Sequence, residues 1–191
     1  MGSAQNELRR VYIETLGADA WEQSRRAIAE FWDATEKAVN SLHLDYRKVR
    51  LYQDGLPVSG LEEKIVRDLA AQGGANYRIL LRLMERGASL EGTEDPDLLR
   101  TEYELTMRAA PGAAVKAAAG APHDASAKQF QELLDQRDRF IARRIDATLN
   151  PGEIGILFLG ALHRAVEKLP DDVRVVSLPE MLQASGALAR S

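Results

Sequence analysis

Along this chain the apolar residues fall mostly at helical spacing, and four short runs break that rhythm with strand character. Leu8, Val11, Tyr12 and Leu16 predict a short amphipathic helix over 6–16, closed by Gly17. Asp19 is placed to cap a long helix reaching Leu42. Trp21, Ile28, Phe31, Trp32, Val39 and Leu42 share one stripe of it, expected to be core. Residues 49–53 alternate and carry β-branched and aromatic side chains, predicting a first strand that Asp54-Gly55-Leu56-Pro57 stops with turn chemistry. A helix over 61–72 ends at Gly73-Gly74. Asn76 then caps another that runs to Gly87, with Ile79, Leu80, Leu83 and Met84 inward. Residues 88–91 make a short second strand, and Pro96 opens the next helix.

From 109 to 124 the chain turns to Ala, Gly and Pro without apolar period, which predicts a flexible loop, a surface excursion or a lid. A helix over 126–149 is expected to bury Phe130, Leu133, Leu134, Ile141, Ile145 and Leu149 before Asn150-Pro151-Gly152 breaks it. Residues 154–159 are apolar on both faces, which predicts a central strand covered from both sides. A short helix near Leu162, a fourth strand over 173–177 and a frayed helix from Leu178 complete the pattern. The class predicted is α/β, a small, mostly parallel sheet of about four strands flanked by many helices, because helical connections suit crossovers between parallel strands.

A length of 191 residues suits a single domain spanning the chain, and 45% hydrophobic with 28% charged residues is a globular balance. A net charge of −4 attracts neither nucleic acid nor an anionic membrane, and no apolar run is long enough to span a bilayer as a helix. The first residues lack the apolar core of a secretory signal, so a cytoplasmic location is expected. Without cysteine there can be no disulfide, zinc-thiolate site or thiol catalysis.

In open parallel sheets ligands bind beyond the carboxyl ends of the strands. Here the first strand ends in Asp54-Gly55, the second leads through Gly92-Thr93 to Glu94 and Asp95, and the third ends in Gly160-Ala161-Leu162-His163. Each element has a plainer reading alone: a turn, a helix cap, a structural histidine. Their convergence is what marks a site. Arg137-Asp138 lies in the middle of a long helix, where a carboxylate-held arginine could reach a cleft to bind an anion. Alternatively it joins Arg139, Arg143 and Arg144 on a solvated face. No phosphate-binding glycine loop, His-Glu-x-x-His or Gly-x-Ser-x-Gly occurs, which disfavours nucleotide binding and serine-hydrolase chemistry by those motifs.

The run Arg137-Asp138-Arg139-Phe140-Ile141-Ala142-Arg143-Arg144-Ile145, followed by 155–163 with Gly160-Ala161-Leu162-His163, resembles the C-terminal part of the TraB/ChaN/erythromycin-esterase-like superfamily. Such proteins pair an arginine-bearing helix with a strand ending in Gly-x-x-His. The loops at Tyr52-Gln53-Asp54-Gly55-Leu56-Pro57 and Gly92-Thr93-Glu94-Asp95-Pro96 also resemble a group of uncharacterised bacterial proteins, which implies a shared cleft but no activity. The superfamily usually bears another histidine after an N-terminal strand. This chain departs from that pattern, so the expectation is a degenerate site or a strand upstream of Met1. The resemblance implies a hydrolase-like site dependent on a divalent metal (Mn, Zn or Mg), with Glu94 and His163 as ligands or general base and Arg137 on an anionic substrate group.

Three functional readings follow. The first is a hydrolase with Glu94, His163 and Arg137 as catalytic residues and Asp54, Asp95, Asp138 and Gly160 binding a small-molecule substrate. The second is a non-catalytic protein holding a small anion in the same pocket. The third is a module that forms a homodimer through its long helices, marked by exposed apolar residues between Trp21 and Leu42.

Overall fold

The computed structural model describes residues 13–15, 17–108 and 124–182. Most of the 6–16 helix and the Ala/Gly/Pro stretch over 109–123, with its lid reading, therefore lie outside the described residues. In chain order the elements are α1 (Ala18–Asn40), β1 (Val49–Gln53), α2 (Glu62–Ala71), α3 (Ala75–Glu85), β2 (Ser89–Leu90), α4 (Pro96–Arg108), α5 (Asp124–Thr148) and β3 (Ile154–Phe158), with one-turn 3-10 helices at Tyr46–Lys48 and Ala165–Lys168. The fold class is α/β, as the alternation of helical and strand periods predicts. Among the described residues no helix is long and apolar enough to cross a membrane.

The sheet is wholly parallel, in the order β2-β1-β3, with Val49 to Gln53 registered against Ile154 to Phe158. Side chains alternate across it. Val49, Leu51, Ile156 and Phe158 face a cluster with Val39, Val66, Ile79, Leu80 and Leu83 from α1, α2 and α3. Tyr52 and Leu157 face Ile141 and Ile145 of α5. Helices thus cover both faces.

Two strand expectations need correction. The 154–158 run is an edge strand, and β1 is the centre. Apolarity on both faces reports cover from two helical layers and says nothing about lateral neighbours. Among the described residues the sheet also has three strands, because 173–177 joins no ladder and leaves Val175 and Val176 exposed. Strand propensity measures fit to a half-buried pleated surface, and this segment gains none.

The caps differ as well. Gly17, with φ 90, precedes α1 and puts Asp19 inside the first turn. Gly74 precedes α3, so Asn76 is free to donate from its side chain to Gln53. The apolar stripe of α1 is only partly core: Val39, and Leu42 just past the helix end, are buried, yet Ile28 and Phe31 are 56% and 61% exposed. A helix of 23 residues runs about 35 Å, while five-residue strands span about 17 Å. The N-terminal half of α1 outruns the sheet that would cover it.

Charged groups clamp the strands together. Arg50 on β1 pairs with Glu91 after β2 and with Glu153 before β3. The hydrogen bond from Arg50, with those from Asn150, holds the Glu153 carboxyl down at about 2. The loops after β1 and β2 are locked as a continuation of the sheet. Val58 N–H donates to Glu94 O at 2.8 Å, and Thr93 and Glu94 N–H both reach Leu56 O at 2.9 Å. Gly92 makes this approach possible, because a Cβ there would lie 2.7 Å from Val58 Cα and 3.0 Å from Pro57 O. Backbone cannot yield as a side chain can. Gly92→Ala is therefore expected to destabilise the fold by about 1–3 kcal/mol, read as a lowered midpoint in urea unfolding with an unchanged slope.

Candidate active site at the β1/β3 crevice

With the order β2-β1-β3, the chain leaves β1 to one side and returns on the other. The crevice beyond β1 and β3 is the topological switch point, where parallel sheets open to ligands. Asp54 follows β1 there, and Gly160 and His163 follow β3.

His163 lies between two aspartates. Its Nδ1 is 2.6 Å from Asp138 Oδ1, and its Nε2 is 3.8 Å from Asp54 Oδ2. The His163 and Asp138 side chains are only 6% and 4% exposed. A buried carboxylate beside Nδ1 favours the tautomer with the proton on Nδ1, which leaves the lone pair on Nε2, the nitrogen on the Asp54 side. Asp138 also accepts the Arg164 backbone N–H, so both of its oxygens are fixed. At 3.8 Å Nε2 makes no hydrogen bond to Asp54. Asp54 is itself held by the Gly160 N–H at 2.6 Å and the Gln53 side-chain amide at 2.8 Å, and Gln53 is oriented in turn by Asn76. A Cβ at Gly160 would come within 2.8 Å of Asp54 Oδ2, so a larger residue there would displace the Asp54 carboxylate. Tyr77 stands near, its hydroxyl pKa raised by burial and then by the Asp54 charge.

Behind this array is a buried ion pair. Arg137 grips Glu94 with two bonds, Nε to Oε2 at 2.8 Å and Nη2 to Oε1 at 2.5 Å, and donates from Nη1 to Glu102 at 2.5 Å. Glu94 also accepts the Gly55 N–H at 2.9 Å. Burial works against the guanidinium charge, but the hydrogen bonds and charge of Glu94, with Glu102 and Asp54, outweigh it and raise the arginine pKa. Because Arg137 adjoins Asp138 and Gly55 adjoins Asp54, one ion pair positions both carboxylates that flank His163.

Asp54, Asp138, Gly160 and His163 therefore come together at the mouth, with Glu94 and Arg137 behind them. Asp95 does not join them: its carboxylate accepts Asp97 N–H at 2.7 Å and Leu98 N–H at 3.2 Å, capping α4. The helix-cap reading holds for it. Arg137 is buried and does not join the solvated face; its Nε, Nη1 and Nη2 each donate to a carboxylate. Arg139 and Arg143 are solvated, while Arg144 donates to Gly92 O. The donor set implied for a metal, Glu94 with His163, does not fit one. Both Glu94 oxygens are taken by Arg137, and among the described residues no three His, Asp or Glu side chains are grouped to hold an ion.

Glu102, Gln53, Asn76 and Tyr77 were not expected at the site. Glu102 had a signal: it follows Leu98 and Leu99 and precedes Leu105 at helical spacing, on the inward face of α4. Compared with protein-family models, curated proteins and solved structures, the chain matches none.

Proposed function

We propose that the β1/β3 crevice is a hydrolytic site in which His163 acts as general base on a water molecule. The observation that carries this reading is the 2.6 Å contact between His163 Nδ1 and buried Asp138, with Nε2 on the side of Asp54, 3.8 Å from its Oδ2. A histidine oriented by a carboxylate, with its other nitrogen open, is the arrangement general-base chemistry needs. Among the described residues no serine or threonine hydroxyl is hydrogen-bonded to Nε2, so water is the nucleophile in this reading. Asp138 and the Glu94–Arg137 pair are positioning residues, and Asp54 lines the substrate side. The likeness of the Arg137 helix and the Gly160 to His163 segment to the TraB/ChaN/erythromycin-esterase-like superfamily supports the reaction class. Its metal dependence is left aside because the ligands do not fit. The anion-binding reading draws less support, because Arg137 is already paired with Glu94 and Glu102.

The test is a panel of chromogenic ester and amide substrates, assayed in chelator, with wild type and His163→Ala. The expected result is turnover by wild type that falls about 10²–10⁴-fold in the variant. Turnover equal in both proteins, or none on the panel from folded wild type, counts against the reading.

The interaction-module reading draws on one observation, the exposed Ile28 and Phe31 of α1. Sedimentation at micromolar concentration decides it: a monomer removes the homodimer.

A further inference from the structure

Gln53, the last residue of β1, is buried, and its side-chain amide spans two neighbours. Its Nε2 donates to Asp54 Oδ1 at 2.8 Å and to Asp54 O at 3.1 Å, while its Oε1 accepts from Asn76 Nδ2 at 3.0 Å. A primary amide has nearly the same shape either way round, so its partners decide which end points where. A carboxylate can only accept, so Asp54 requires the nitrogen end. Asn76 meets the matching condition at the other end, a donor for the oxygen. The three residues form one directional chain, from Asn76 on α3 through Gln53 to Asp54.

That chain ends beside His163. Asp54 Oδ2 accepts the Gly160 N–H at 2.6 Å and lies 3.8 Å from His163 Nε2. One donor on each oxygen fixes the carboxylate between β1 and β3. Without the Gln53 donor, Asp54 would be held by Gly160 alone, and its side chain, 23% exposed, has solvent to turn to. While Nε2 is unprotonated, the 3.8 Å contact is no hydrogen bond. Once Nε2 carries a proton, the same contact joins a cation to its counter-charge.

We infer that Asn76 is a positioning residue: by setting the Gln53 amide it holds Asp54 on the Nε2 side of His163, where the carboxylate stabilises the imidazolium formed during turnover. In that step an O–H bond of water breaks, its proton passes to Nε2, and the oxygen bonds to the carbonyl carbon of the substrate. The proton then leaves with the departing alcohol or amine. Asp138 and Asp54 stand one at each ring nitrogen, so the transient positive charge is met on both sides. This inference rests on the crevice being the hydrolytic site, and the placement of Asp54 can be read without turnover.

The experiment compares wild type with Asn76→Asp, which keeps the side-chain size and turns the donor into an acceptor. Asn76 is the second residue of α3, whose first turn holds no acidic residue, so the helix dipole favours the change and offsets the lost bond. The melting temperature is therefore expected to stay near that of wild type. The Gln53 amide then reverses, its oxygen meets Asp54, and the carboxylate withdraws from Gly160. In ¹H–¹⁵N spectra the Gly160 amide proton is expected to move upfield. On any substrate found by the ester and amide panel, kcat is expected to fall about 10–100-fold with KM little changed. Asn76→Ala, which removes the donor without adding a charge, should move both readouts the same way and keeps the test alive if the first variant folds poorly. A Gly160 proton unmoved in the folded variants, an unchanged kcat, or a kcat loss that only follows a fall in melting temperature overturns the inference. A displaced Gly160 proton together with a wild type that hydrolyses nothing on the panel would instead overturn the catalytic reading, with the chain from Asn76 to Asp54 upheld.

Discussion

Replacing Arg137 by leucine is expected to cost about 3–5 kcal/mol of stability, among the largest effects of any single polar substitution here. The side chain is buried at the centre of α5 and carries two bonds to Glu94, which is itself fully buried. Without the guanidinium, Glu94 keeps a single partner, the Gly55 N–H, and cannot reach water. Glu102, part-exposed, can turn outward, so the penalty falls on Glu94. The double variant Arg137→Leu with Glu94→Gln removes both charges and keeps an acceptor for Gly55. It should recover most of the loss, because the cost lies in the stranded charge more than in the missing pair. Urea unfolding of the single and double variants measures this directly. If Arg137→Leu costs less than about 1 kcal/mol, the pair behaves as a solvated surface bridge and its role as a pillar under the crevice is wrong.

The second large effect is on turnover. Asp138→Asn keeps the size of the side chain, and its amide oxygen can still accept the Arg164 N–H. What it presents to His163 Nδ1 is then an N–H donor in place of a carboxylate oxygen. The imidazole answers with the opposite tautomer, carrying its proton on Nε2 with no lone pair for water. On any substrate found by the panel, kcat is expected to fall about 10²–10⁴-fold, with KM and the melting temperature little changed. The separation matters, since a merely structural Asp138 would move stability first. An unaltered kcat in a folded variant would remove His163 as the base.

Much of this architecture is legible from residue order. The alternating run at 49–53, with Val49, Leu51 and Tyr52, and the apolar run at 154–158 form the two full strands, and the turn residues at Asp54-Gly55 and Asn150-Pro151-Gly152 bound them. The site was legible in part for the same reason: parallel strands deliver whatever follows them to one edge, so Asp54, Glu94 and His163 converge whichever neighbours the strands choose. The α5 pattern contained more than its arginine count suggested. Leu133, Leu134, Arg137, Asp138, Ile141 and Ile145 fall on one face, so two charged residues occupy positions that the period assigns to the interior. Charges placed there must find partners, which is a stronger statement than membership of a basic cluster.

What sequence alone determines here is set by local forces: backbone propensity, turn chemistry and the period of burial act over a few residues. They decide that α1, α3 and α5 are helices, that β1 and β3 are strands, and which face of each turns inward. Lateral and long-range choices lie with the tertiary structure. Only packing decides that β3 is an edge, that 173–177 finds no partner strand, and that α1 extends past its cover. The same holds for chemistry. The residues His163, Asp138, Glu94 and Arg137 are visible in the chain, but their pairing spans separations of 25 and 43 positions. Electrostatic partnership at such separations depends on where helices and strands dock, and no local rule encodes it. Arg137 is an anion-binding candidate by residue type and a carboxylate-locked pillar by position, because Glu94 reaches it before any ligand can.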